Sequence, residues 1–281
     1  MKGILFVNGY YFSENEKDRC ARLVKAFSDR GVEVAVFKNN VPLEKELFDG
    51  VDFCLFFDKD YFASRFIENL GIKVFNRTEV LEITDNKNRT YAFLYGKTKV
   101  KMPATVLAPK KFFYAQDRAY LDAVSDRLGF PFVMKEACGS LGKQVYLIEN
   151  KEQLYEKDEE TGTVDKQFQS FRRESFGRSV RIICIGKKAI GGMELSSQGD
   201  FRSNAHLGGE GRKTELSKEY KEAAEEIASL LDADYIGIDF FADEPVLIEI
   251  NGSAYFSQFE KVTGIDVAAK YADYILESFS P

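Results

Sequence analysis

The sequence predicts a mixed α/β protein of two or three compact units, the first built on a parallel, helix-covered sheet. Two observations predict it. Short apolar strands alternate with helical patterns over residues 1–76, and a chain of 281 residues at 44% hydrophobic composition can bury more than one core.

In order, strands are expected at 3–7, 32–37, 51–57 and 72–75, with helices at 16–30 and 61–70. The first strand runs into Asn8-Gly9-Tyr10-Tyr11, which lacks the three spaced glycines of a dinucleotide fingerprint, so NAD and FAD are unsupported. Residues 77–94 read as a helical connector. A strand over 102–107, opened by Pro103, follows a Lys-rich turn, and the five lysines between Lys97 and Lys111 read as a solvated face without function. A helix at 117–128 leads into a strand at 130–135 that ends on Lys135. Next come Glu136-Ala137-Cys138-Gly139-Ser140-Leu141-Gly142-Lys143 and a second strand at 144–148, which together make a hairpin. A P-loop would need Ser or Thr after Gly142-Lys143 and a helix beyond; Gln144 and Val145-Tyr146-Leu147-Ile148 supply neither. Beyond lie a helix at 151–160, strands at 164–171, 179–185 and 189–195, a loop to Thr214, a helix at 217–231 with Ser217 as N-cap, strands at 235–241 and 246–250, and a last helix at 265–279.

Composition narrows the function. Lys plus Arg total 39 against 45 Asp plus Glu, a formal charge of -6, which argues against a nucleic-acid partner. Cys20, Cys54, Cys138 and Cys184 form no Cys-x-x-Cys pair, and no apolar run reaches the length of a membrane span or signal peptide. A reduced, cytoplasmic protein without a membrane partner is expected, with Cys54 and Cys184 as buried small hydrophobes and Cys138 as a candidate reactive thiol. His206 is the single histidine, which excludes multi-histidine zinc sites.

Chemistry therefore falls to carboxylates, lysines and arginines. Ile236-Gly237-Ile238-Asp239 and Leu247-Ile248-Glu249-Ile250-Asn251 are neighbouring strands that both end in oxygen donors, and Glu249 and Asn251 share a face. If Asp239 lies on the adjacent antiparallel strand, three hard donors converge and suit Mg²⁺; the alternative is the solvated face of an amphipathic hairpin. Lys135 at the end of an apolar run calls for an anionic partner such as a phosphate, or else snorkels outward. Gly139, Ser140 and Gly142 leave backbone amides free for phosphate oxygens, though a tight turn uses the same residues. Arg202 stands in a dense polar loop, 198–209, where its fork suits a carboxylate or phosphoryl group if the loop is more than surface.

The order of these features resembles the ATP-grasp superfamily, and within it the RimK-like group that joins amino acids to the carboxylate of a peptide or protein. The segments carrying the resemblance are Asp200-Phe201-Arg202-Ser203-Asn204 with His206 and Gly208-Gly209, then Gly237-Ile238-Asp239, Glu249-Ile250-Asn251-Gly252-Ser253, and Glu260-Lys261-Val262-Thr263-Gly264-Ile265-Asp266-Val267-Ala268. It is clear from about Thr78 to the C-terminus and architectural before that. The resemblance implies an ATP-grasp fold: an N-terminal parallel α/β domain (1–76), then two α+β subdomains that clasp ATP. These are a connector and lid subdomain with the glycine-rich loop (77–165) and a C-terminal subdomain with the metal site (166–281).

The resemblance further implies a ligase that joins a carboxylate to an amine through an acyl phosphate, using ATP and Mg²⁺, with Mn²⁺ as the alternative ion. Its partners would be an amino acid, peptide or protein with a free carboxylate and an amine donor; a homo-oligomer is left open. Asp239, Glu249 and Asn251 would bind the metal. Lys87, Lys135, Gly139, Ser140, Gly142, Gln169, Ser170 and Phe171 would bind the nucleotide, and Arg181, Arg202 and Asn204 would be catalytic. Alanine at Asp239 or Glu249 is then expected to abolish turnover and leave the fold intact. Ser170, Ser179, Ala254 and Asn86 depart from the family pattern, mostly at the nucleoside end. An ATP-grasp kinase and a nucleotide-binding protein without turnover are the alternative readings.

Overall fold

The computed structural model describes residues 1–139, 142–203 and 210–280. A four-stranded parallel sheet comes first, with strands β1 (Lys2–Val7), β2 (Glu33–Lys38), β3 (Phe53–Phe57) and β4 (Lys73–Phe75) in the order β2-β1-β3-β4. Central β1 and β3 are nearly all apolar because both faces are covered, as parallel sheets require. On one face Phe6 stacks on Phe37 and Phe56, at ring separations of 5.3 and 4.6 Å. Helices α1 (Glu14–Ser28) and α2 (Tyr61–Asn69) are capped by Ser13 and Asp60, whose side chains accept the amides of Glu16 and Ala63.

The middle of the chain comprises α3 (Thr78–Asp85), α4 (Lys87–Leu94), β5 (Thr105–Leu107), α5 (Arg118–Leu128), β6 (Phe132–Glu136), β7 (Val145–Ile148), α6 (Lys151–Thr161) and β8 (Lys166–Ser170). Its sheet is antiparallel, in the order β5-β8-β6-β7, and β6 and β7 are the hairpin implied by the glycine loop. The last unit holds β9 (Arg178–Ile185), β10 (Lys188–Ser196), β11 (Glu210–Thr214), α7 (Lys218–Leu231), β12 (Tyr235–Phe241), β13 (Leu247–Asn251), α8 (Ser257–Thr263) and α9 (Val267–Glu277), with strand order β11-β10-β9-β12-β13. One face packs Ile182, Ile236 and Ile238 against α7. The other packs Ile183 and Tyr235 against α8 and α9, and there joins the core of the first sheet, including Leu5, Leu23 and Phe57.

Several expectations are corrected. The connector over 77–94 is two helices, because Asn86 is extended, bridges to Cys138 and turns its side chain to cap α4 at the Arg89 amide. The strand expected from Met102 begins only at Thr105; Pro103 before it has no N–H for a ladder. The loop to Thr214 contains β11, an edge strand whose polar sequence gave no apolar alternation. The last helix starts at Val267, capped by Asp266, and the separate helix α8 precedes it. Ser217 holds the N-cap position, but its hydroxyl donates to Glu219 and caps no amide. β8, which begins at Lys166, pairs with β5 and β6, so the middle sheet runs through Ser170. Cys20, Cys54 and Cys184 are buried and Cys138 is exposed; all four are free. Of the lysines between 97 and 111, Lys101 pairs with Glu244, Lys111 with Asp158, and Lys97 lies over the Phe93 ring.

Candidate active site

The site begins as a row across three strands. In β9, β12 and β13, Arg181 pairs with Asp239 and Asp239 with Glu249 in register, so the three side chains leave one face of the sheet. Arg181 grips Asp239 as a fork, Nε to Oδ1 at 2.8 Å and Nη2 to Oδ2 at 2.7 Å. Burial opposes the charge on Arg181, yet Asp239 outweighs it and holds the guanidinium pKa above its ordinary value. Glu249 is met from the middle unit by Lys87 Nζ at 3.5 Å. Asn251 follows two residues on, opposite Gly237. A Cβ at Gly237 would lie 2.6 Å from the Ala254 side chain, so this glycine lets the chain beyond Asn251 fold back over β12.

Asn76 fixes that returning chain. Its amide donates to the carbonyls of Tyr235 (2.5 Å) and Gly252 (2.9 Å), and its oxygen accepts the amides of Asp234 (2.8 Å) and Tyr235 (2.9 Å). We expect Asn76→Ala to cost about 3 kcal/mol, since three buried backbone groups and a part-buried one lose their partner; urea denaturation measures it.

Among the described residues, two larger clefts open beside the row. The first is walled by the middle unit, with Lys135, Gly142 and Gln169, and by Asp239, Phe241 and Glu249 of the last unit. Lys135, 7% exposed, donates to Gln169 Oε1 at 2.6 Å, and Gln169 donates on to Thr105 Oγ1 at 3.1 Å. Burial lowers the Lys135 pKa to about 8, with Lys87 adding to the effect and Glu249 opposing it. Ser170 and Phe171 line the same cleft, and the Phe171 ring meets Phe176 and Phe201 edge-on. Gly139 lies close under Gln144: a Cβ there would come within 2.6 Å of Gln144 Oε1, so that side chain would have to shift. Gly142 has φ +73°, which favours glycine, and its carbonyl accepts Arg202 Nη1 at 2.6 Å. Arg202 is otherwise forked onto Asp200, which lowers the Asp200 pKa and raises its own. Ser179, one of the departures from the family pattern, meets Ser203 hydroxyl to hydroxyl at 2.5 Å. The second cleft, about 390 Å³, lies between the first sheet, α3 and the last unit and is bordered by Asp58, Asp85, Arg181, Glu249, Asn251 and Tyr255. Glu249 belongs to both clefts.

The structure thus brings Lys87, Lys135, Gly139, Gly142, Gln169, Ser170, Phe171, Arg202, Asp239 and Glu249 around one cleft, and Arg181 and Asn251 onto the other. Ser140, Asn204, His206, Gly208 and Gly209 lie outside the described residues. The segment from Glu260 to Ala268 has a joining role: Glu260 accepts the amides of Val267 and Ala268 at the start of α9 and pairs with Arg22 of α1 at 2.9 Å. Sequence reasoning missed Asp58, Asn76 and Phe241, because none stands in a motif. Asp239, Glu249 and Asn251 present hard oxygen donors on one face and fit Mg²⁺, with further ligands left to water and phosphate. Among the described residues no cluster of three His, Cys, Asp or Glu offers a self-sufficient cage.

Comparison with known proteins identifies the arrangement. D-alanine–D-alanine ligase from Bacillus anthracis, solved with ATP, superposes with TM-score 0.74 over 99% of this chain and 96% of that one at 19% identity, so the fold is that of the ATP-grasp ligases. The family model for the RimK-like ATP-grasp domain matches residues 84–275, and the chain belongs to that family. Among curated relatives, beta-citrylglutamate synthase B of Danio rerio is 30% identical over 230 residues (78% of this chain, 54% of the relative). N-acetylaspartylglutamate synthase A of Homo sapiens is 31% identical over 226 residues (78% and 56%). The chain spans about half the length of these relatives.

Proposed function

We propose that this chain is an ATP-dependent ligase that joins a carboxylate to an amine, amino acid or peptide in kind. One observation carries the reading: Glu249, with Asp239 beside it, borders both clefts, so a nucleotide in the first and an acid in the second would meet at one row of charges. Membership of the RimK-like family and the names of the curated relatives support it.

In this mechanism the acid's carboxylate oxygen attacks the γ-phosphorus of ATP, ADP leaves, and an acyl phosphate forms. The amine nitrogen then attacks the carbonyl carbon, phosphate leaves with its electron pair, and the nitrogen gives up a proton. Lys87 and Lys135 hold the phosphates, Gly139, Ser140 and Gly142 cover them, and Gln169, Ser170 and Phe171 border the base. Arg181, Arg202 and Asn204 orient the acid and steady the oxygens that gain charge. Asp239, Glu249 and Asn251 would hold Mg²⁺ or Mn²⁺, which when bound neutralises charge on the transferring phosphoryl group. Four free cysteines accord with a reducing, cytoplasmic setting, and among the described residues no helix is long and apolar enough to cross a membrane.

The test is ADP release with ATP, Mg²⁺ and panels of carboxylates and amines. Release that requires both supports the ligase. Phosphorylated product without an amine requirement turns the reading to a kinase, and nucleotide binding without release sinks both.

A further inference from the structure

Among the described residues, the second cleft contains one carboxylate without a counter-ion. Asp58 follows β3 at the carboxyl edge of the parallel sheet, where ligands of such sheets bind, and its residue is 8% exposed. Among the described residues, neutral donors alone hold it. Asn8, just after β1, donates to both carboxylate oxygens at 3.3 Å; Asn39, just after β2, donates to Oδ2 at 2.8 Å; and the Lys59 amide donates to Oδ1 at 2.6 Å. Three strand ends therefore fix one charge in place.

The other charged groups bordering this cleft are paired. The Lys59 side chain is on Asp85, Arg181 on Asp239, and Glu249 on Lys87. Burial pushes the Asp58 carboxyl above its ordinary range, as it would for an acid that lacks a cation. A charge so held, in a cleft of about 390 Å³, is complementary to a positive group on a small ligand. The attacking amine of the ligation must be neutral, and a carboxylate stabilises the protonated form. Asp58 therefore suits an ammonium that does not react.

From this we propose that Asp58 anchors a spectator ammonium on the acid substrate, which makes that substrate an amino acid or a peptide with a free amine near the activated carboxylate. The assignment rests on the ligase reading, which makes the ligand a substrate and its ammonium a spectator.

The experiment uses the full chain with ATP, Mg²⁺ and hydroxylamine as the amine, and reads hydroxamate formed from free amino acids, short peptides and their N-acetylated forms. N-acetylation is expected to lower kcat/KM at least ~10-fold in the native chain, a loss of about 1.4 kcal/mol. In Asp58→Asn the two forms should differ by no more than ~3-fold, with KM for ATP unchanged. The free amino acid and peptide arms show which source is used. Equal use of acetylated and free acids by the native chain overturns the proposal without need of a variant, as does full discrimination by a folded Asp58→Asn. If no acid yields hydroxamate, the ligase reading fails, and calorimetric titration of the same pairs into the ATP-loaded protein decides the anchor. Binding of the free forms alone, lost in Asp58→Asn, supports it; no discrimination overturns it.

Discussion

Lys135→Met is expected to melt at a higher temperature than the native chain and to lose most of its affinity for nucleotide. The ammonium is buried against an amide oxygen, and burial lowers its pKa from 10.5 to about 8. Below pH 8 both the folded and the unfolded chain carry the proton, so the full cost of burying the charge falls on the folded state. At 1.36 kcal/mol per unit that cost is on the order of 3 kcal/mol. Between pH 8 and 10.5 the unfolded chain keeps the proton while the folded chain sheds it, so native stability rises and the advantage of the methionine closes. Urea denaturation at pH 7 and near pH 10, with nucleotide titration alongside, measures both effects. A variant less stable than the native chain at pH 7 would show that Lys135 is held by more than Gln169.

Glu249→Gln is expected to reduce ADP release by on the order of 10²–10³-fold with little change in stability. Its partner Lys87 stands 3.5 Å away and both side chains keep some exposure. Alanine at Asp239 should abolish release as well, but here the sequence-based expectation of an intact fold needs revision. Asp239 is the fork partner of a largely buried arginine, and breaking such a pair costs about 3 kcal/mol because Arg181 is left uncompensated. Denaturation midpoints alongside ADP release separate the two carboxylates. An Asp239→Ala protein as stable as the native chain would mean that Arg181 finds another partner.

The two alternations of apolar and helical pattern, the glycine hairpin and the acidic strand pair were legible because each is local. Glu249 and Asn251 share a face by period two alone, and the short turn through Asp243-Glu244-Pro245 makes β12 and β13 antiparallel neighbours. The pairing of Arg181 with Asp239 was not legible, since it depends on β9 lying beside β12 across 58 residues. Arg202 stood out as the arginine of a dense polar loop, while its link to the Gly142 carbonyl is likewise a long-range contact. Asn86 stood out only as a departure from a common aspartate; in the structure it caps α4 and so sets Lys87 at the first helical position. Asp58 gave no signal, because a carboxylate after an apolar strand is ordinary until Asn8 and Asn39 are seen around it.

One shared core has a mechanical consequence. Leu5, Leu23 and Phe57 near the start of the chain and Val267, Tyr271 and Ile275 near its end belong to a single apolar cluster, whereas Leu121, Phe132 and Phe168 of the middle unit form their own. Units with separate cores move past one another more readily than units that share one. The cleft carrying Asp58 and Arg181 is thus cut mostly from that one block, with Leu81, Thr84 and Asp85 of α3 on its border. The cleft carrying Lys135 and Gly142 has one wall on that block and one on the separately packed middle unit, so binding of the nucleotide is expected to bear more of the reorganisation than binding of the acid.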